Sequence, residues 1–148
     1  MKRSFGGVWS RFLHGGVTLT VVESQLLEHL ISSLPAPLRT IVEHQFEAYN
    51  LAQREIDGRA LNFYRRRNGR ANDMEGLPLL EMAAEEAPLV RLTAAIAGET
   101  EPVHATLTAI NGRVFCMALS RAVPSDAVIT VSQVKQAWRS NFHYEKPA

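Results

Sequence analysis

Residues 102–121 read PVHATLTAINGRVFCMALSR, two strand-like runs on either side of Asn111-Gly112. Both central residues of a type I′ turn need positive φ, which Asn-Gly meets at least cost, so the stretch predicts a tight β-hairpin. Simple alternation then sorts its side chains. One face takes Val103, Ala105, Leu107 and Ala109 with Val114, Cys116, Ala118 and Ser120. The other takes His104, Thr106, Thr108 and Ile110 with Arg113, Phe115, Met117, Leu119 and Arg121. The first set is small and apolar and is expected to seat helices, which makes Cys116 a buried structural thiol. The second mixes large apolar groups with hydroxyls. It is expected to be covered, to line a pocket or to meet a partner.

Upstream of the hairpin the apolar spacing is helical. Thr20 and Glu23 form a candidate capping box, with Val22, Leu26, Leu27, Leu30, Ile31 and Leu34 behind them at periods of three and four. Pro35 and Pro37 break the chain, and a second helix is expected over 37–56, with Leu38, Ile41, Val42, Phe46, Tyr49, Ala52 and Ile56 as its stripe and Asp57-Gly58 as its stop. The short link implies an antiparallel helix pair. Strands are expected over 59–67, 89–97 and 128–131, with a short helix over 77–87 that Pro88 ends. After Ser132 both strand and helix fit the pattern. Residues 1–16 carry Lys2, Arg3 and Arg11 and no acid, and read as an arm outside a single domain spanning 17–148. The fold class is therefore α+β, an antiparallel helix pair packed on one face of a four- to five-stranded antiparallel sheet.

A chain of 148 residues can bury roughly two-thirds of its unfolded surface in one core. The net charge of +1 gives no global argument for nucleic acid. One cysteine excludes an internal disulfide and a cysteine-based zinc site, and suits a reducing, cytoplasmic setting. No apolar run approaches the ~20 residues of a membrane span.

Three groups carry the candidate chemistry. Arg59, Arg65, Arg66, Arg67 and Arg70 occur with no acid among them and with Phe63 and Tyr64 alongside, a composition that can grip phosphates and stack bases. They are followed by Asp73, Glu75, Glu81, Glu85 and Glu86, which can equally neutralise them. Arg54, Arg59 and Tyr64 are candidates for one polar rim, the Arg/Tyr pattern of protein interfaces. His104, Phe115 and Met117, with Thr106 and Thr108, are candidates to line a cavity. His29, His44, Glu43 and Glu47 lie off the apolar stripes and lack the Glu-x-x-His order of a bundle metal site, so no metal is expected. Neither Gly-x-Ser-x-Gly, His-Glu-x-x-His, a phosphate loop nor a dinucleotide fingerprint occurs, and no cofactor is expected. These residues point to a small binding or regulatory protein that acts by protein–protein contact, of which an inhibitor or immunity-type protein is one instance, rather than to an enzyme. The alternatives are a ligand pocket or enzyme site between helices and sheet, and single-strand nucleic-acid binding through Arg65, Arg66 and Arg67. Oligomeric state is left open.

Overall fold

The structure is a computed structural model that describes residues 18–70, 72–140 and 142–143. The expectations for residues 1–16 lie outside the described residues. Two helices, α1 (Val21–Ser32) and α2 (Ala36–Ala48), pack on one face of an antiparallel six-stranded sheet. Its strands are β1 (Leu51–Arg54), β2 (Ala60–Tyr64), β4 (Glu86–Ile96), β5 (Val103–Ile110), β6 (Arg113–Leu119) and β7 (Ile129–Gln136), in the order β1-β2-β6-β5-β4-β7. A two-residue strand β3 (Glu81–Met82) pairs with β8 (Phe142–His143), and a short 3-10 turn (Trp138–Ser140) precedes β8. The α+β class and the helix cover on a single face stand as expected, with one strand more. Among the described residues no helix is long and apolar enough to cross a membrane.

Helix α1 starts at the expected box. Thr20 Oγ1 accepts from Glu23 N at 3.1 Å, and Glu23 Oε1 accepts from Thr20 N at 2.8 Å. Its stripe of Leu26, Leu27, Leu30 and Ile31 is fully buried against the sheet, as are Leu38, Val42 and Phe46 of α2. Opposite them lie Leu61, Phe63, Leu92, Ala94, Val103, Ala105 and Leu107. Phe46 meets Phe63 edge-on with centroids 4.8 Å apart.

Helix α2 is shorter than its stripe predicts. The chain turns extended at Tyr49 (ψ 135°), and residues 51–54 become β1 instead of two further helical turns. Tyr49 and Ala52 remain buried, because the same two residues also suit a strand edge, while Ile56 projects fully exposed from the β1–β2 turn. Asp57-Gly58 is thus a hairpin turn and not a helix stop; Gly58 has φ +72° and its N–H bonds Glu55 O. The helix expected over 77–87 is also absent. A length of only three turns, closed by Pro88, leaves it little intrinsic stability, and its backbone bonds elsewhere. Pro78 O accepts from Gln45 Nε2, Leu80 N donates to Gly112 O, and Glu85 O accepts from Asn111 N. Pro88 sits inside β4, at a bulge and before the β7 ladder begins, where its missing N–H is tolerated. The segment after Ser132, which fits strand and helix alike by pattern, is strand as far as Gln136.

The hairpin forms with Ile110 opposite Arg113 and with Asn111 (φ 49°) and Gly112 (φ 88°) both at positive φ. Only Gly fits the second position, since a Cβ there would lie 2.8 Å from Leu80 O. The alternation then breaks. Ala109 faces Val114, but Thr108 faces Cys116, so Phe115 is an extra residue in β6. Beyond this bulge the faces exchange relative to simple alternation. Met117 (opposite Leu107) and Leu119 (opposite Ala105) point to the helices, and Cys116 and Ala118 point to the other side beside Thr108 and Thr106. The physical reason is volume. Burying Met and Leu in place of Cys and Ala gains roughly 4 kcal/mol of apolar transfer. That outweighs the ~1 kcal/mol net value of one displaced ladder hydrogen bond.

The bulge also leaves Val114 without a strand neighbour on its β2 side, because β2 pairs with β6 only over Ala60–Asn62. Two side chains of the α2 segment fill the place. Gln45, fully buried, accepts from Val114 N through Oε1 at 2.9 Å and donates from Nε2 to Gly112 O and Pro78 O, each at 2.9 Å. Tyr49 donates its hydroxyl to Val114 O. Burial pushes the Tyr49 phenol above its ordinary pKa despite the nearby Arg113, so it remains a donor.

Two stability outcomes are expected from urea unfolding. Gln45→Leu strands the buried Val114 N–H and should cost about 2–4 kcal/mol, and Tyr49→Phe, which leaves only a carbonyl unmet, about 1–2 kcal/mol. Met117→Ala should cost about 2–5 kcal/mol as a core deletion, whereas Ala118→Ser should stay within about 1 kcal/mol as a half-exposed position. Equal losses at 117 and 118 would contradict the exchanged faces.

Candidate functional site: the open face of the sheet

The side of the sheet opposite the helices carries a continuous set of half-exposed groups. From β1–β2 to β4 these include Asn62, Tyr64, Arg113, Phe115, Thr106, Thr108, Ile110, His104 and Thr93. Each is placed there by register with a neighbour whose parity is fixed by the buried core. No described element packs over the centre of this face.

At one end Arg113 organises the cluster. Its guanidinium lies 5.8 Å from the ring centroids of both Tyr64 and Phe115, within cation–π range. Arg113 Nη1 donates to Phe63 O at 3.0 Å, closing the gap where β2 leaves β6. Asn72, in the amide orientation that satisfies both groups, accepts from Arg113 Nε and Nη2. Two aromatic rings are thus held apart by a fixed, partly desolvated cation. At the other end His104 Nδ1 shares a 2.9 Å hydrogen bond with Thr93 Oγ1, and the His104 backbone exchanges bonds with Ser120. A hydroxyl beside an imidazole can in principle form a nucleophile–base pair. Among the described residues, however, no carboxylate bonds the other ring nitrogen to orient it.

Cys116 lies between these ends. Desolvation pushes its thiol up to about 11 from the ordinary 9.0, and the Glu55 and Glu86 carboxylates push the same way. The thiolate is the nucleophile, and at neutral pH this thiol is protonated.

The arginine run folds into something the sequence disguises. Arg67 and Arg70 bridge each other across Asn68 (φ 51°) and Gly69 (φ 76°), a second Asn-Gly turn within the segment read as plain loop. Arg67 Nε lies 3.2 Å from Asp73 Oδ2, and Arg65 Nη1 donates to Glu75 O at 2.8 Å. Asp73 is itself buried. The Glu75 backbone N–H it accepts and the surrounding arginines hold its carboxyl below the usual range. The five-plus, five-minus alternation is thus in part a local ion-pair loop. Only Arg59, Arg66 and Arg70 of the run present exposed side chains free of such ties among the described residues.

The expected polar rim does not assemble. Arg54 lies on the helix-bearing face, opposite Leu61, where Nε and Nη2 grip the Glu23 carboxylate at 2.8 and 2.5 Å and Nη2 reaches Thr18 O at 3.0 Å. Tyr64 lies at the other end of the same ladder and on the opposite face. Met117 is corrected as well: it is core, with no exposed surface. The cavity expected between helices and sheet from Phe115, Met117, Thr106 and Thr108 cannot form from those residues, because the threonines and Phe115 face away from the helices. A cavity of about 230 Å³ does open beside α1, lined by Thr20, Val22, Glu23, Arg54, Leu119 and Val123. Its charged groups already satisfy one another. Asn62, Thr93, Ile110 and Arg113 are the residues of this face that the sequence does not single out. Arg113 is adjacent to the Asn-Gly turn and was assigned to the correct face, but its aromatic neighbours come from β2 and the bulge.

Comparison with family models, curated proteins and solved structures finds no match to this chain.

The native thiol should alkylate with iodoacetamide about a hundredfold more slowly at pH 7.5 than an unfolded-chain thiol, the ratio of thiolate fractions between 11 and 9.0. Mass-spectrometric labelling with and without urea measures it. Rapid native labelling would mean that Cys116 is not held beneath the open face.

Proposed function

We propose that the protein is a binding or regulatory module that acts by protein–protein contact through the open face of its sheet. The observation that carries this reading is the asymmetry of cover. Six strands bear both helices on one side, while the other side keeps Tyr64 and Phe115 half-exposed around a fixed Arg113, with Ile110, two threonines and, at the far end, His104. Large aromatic groups and Arg held in one orientation lose little entropy on docking and are enriched where interfaces concentrate their binding free energy. The rigid sheet beneath them supplies that order. A single protonated thiol suits a cytoplasmic setting. An inhibitor or immunity-type protein is one instance of this class.

A nucleic-acid reading draws on the exposed Arg66 and Arg70 of the loop that follows Tyr64, a composition that resembles the edge of a base-stacking platform. The net charge and the internal pairing of Arg65 and Arg67 weigh against it.

Affinity capture of the full chain from its native host, with and without nuclease, separates the two. The double variant Thr106→Arg/Thr108→Arg adds bulk and charge at the centre of the face, and His44→Glu, on the exposed side of α2, serves as the control. Nuclease-resistant capture of one protein, reduced at least tenfold in the double variant and unchanged in the control, is the expected result. Capture that the double variant retains would move the interface elsewhere. Capture lost to nuclease, with a steep dependence on salt, would favour nucleic acid.

A further inference from the structure

The free edge of β7 is a surface distinct from the open face. β7 pairs with β4 on one side, and among the described residues nothing pairs with its other side. Its register slips once. Gln133 lies opposite Thr93 and Val131 opposite Ala94, so Ser132 is an extra residue, and its Oγ donates to Thr93 O at 3.2 Å. The slip reverses the alternation halfway along the strand. Ile129 and Val131, opposite Ile96 and Ala94, share the helix-bearing face. Beyond the bulge that face belongs to Val134 and Gln136, opposite Leu92 and Val90.

This pattern restricts what the edge can accept. Directly opposed residues in an antiparallel pair point to the same face. A regular strand added to β7 matches it on only one side of the bulge. A second β7 does better, when turned about a two-fold axis between Ser132 and Gln133. Val131 then meets Val134 of the second copy, Ile129 meets Gln136, and Thr130 meets Lys135, face for face along the whole strand.

The charges agree with this arrangement. Lys135 is the one charged residue of β7, and it meets a threonine. The two Lys135 side chains of such a pair stand five residues apart along the strand, about 17 Å. That exceeds the ~8 Å Debye length at physiological salt, so their repulsion is screened. The pairing also covers Val134, which is 39% exposed, an unusual state for an apolar residue on the helix-bearing face.

We propose that two copies of this chain associate through their β7 edges in that register, forming one continuous sheet with the valines of both copies in a single apolar strip. The interface is isologous, so each contact occurs twice. The open faces remain available on the same side of the joined sheet.

Thr130 and Lys135 are exposed and take no part in the core, so charge changes there test the register without disturbing the fold. The full chain is compared with Thr130→Glu, Thr130→Lys and Thr130→Lys/Lys135→Glu by sedimentation over a concentration series, with circular dichroism to verify folding. Wild type should show a concentration-dependent dimer. Thr130→Glu, opposite Lys135 of the second copy, should tighten it by about tenfold, and Thr130→Lys should loosen it by about tenfold, because two symmetry-related pairs change together. The double variant should return to wild-type affinity or better. A folded wild-type chain that stays monomeric at the highest concentration overturns the proposal. So does a dimer whose dissociation constant is the same in all four proteins.

Discussion

The backbone of Val114 has no strand on one side, and the two side chains that replace that strand hold the molecule together. Gln45 and Tyr49 reach from the helical layer into the sheet and take the N–H and the carbonyl that β2 leaves unpaired. A buried amide without a partner costs about 1–3 kcal/mol, a large share of a typical domain's stability. The same Gln45 carboxamide holds the carbonyls of Gly112 and Pro78, so one residue fixes the hairpin tip, the segment before β3 and the depth of α2 at once. Tyr49 is also where the helix ends. Its ring packs at 5.2 Å from Phe46 and parallel to Phe63, so the change from helix to strand is fixed by the packing of a single side chain.

That gap in the ladder exists because β6 carries an extra residue. The Phe115 bulge directs Met117 and Leu119 into the core and leaves Cys116 and Ala118 on the open side. It also frees Phe115 to stand near Arg113. The irregularity that stabilises the core therefore builds the candidate site on the other face. β7 shows the same device at the sheet edge, where a bulge at Ser132 sets which side chains a neighbouring strand could meet. In both places one added residue decides the chemistry of a surface several residues long.

Electrostatics plays a more local part. The bidentate contact from Arg54 to Glu23 joins the start of α1 to the end of β1, and it draws on a carboxylate already used to cap the helix. Arg65 and Arg67 close the loop before β3 onto Asp73 and Glu75. These pairs neutralise charges that look available in the linear chain. They take up two of the run's five arginines and leave Arg59, Arg66 and Arg70 exposed.

Local sequence is enough for the capping box at Thr20 and Glu23, the apolar stripe of α1, the Asn111-Gly112 turn, the inward set of β5 and the α+β class. All of these rest on interactions within a few residues or on periodicity, which the chain carries locally. Tertiary structure alone decided the end of α2 at Ala48, since Tyr49 and Ala52 can be buried in helix or strand alike. It decided that residues 77–87 are extended, because their backbone partners, Gln45 and Gly112, lie far away in sequence. The exchange of Met117 and Cys116 between faces was likewise hidden: a bulge appears only when the strand must fit a partner and fill a core volume, and neither is written in its own residues. The candidate site follows the same division. Tyr64, His104 and Phe115 were legible as residue types on strands, but the grouping of Tyr64 and Phe115 around Arg113, the place of His104 at the far end of the face, and the removal of Arg54 and Met117 from it came from pairing and packing across the sheet.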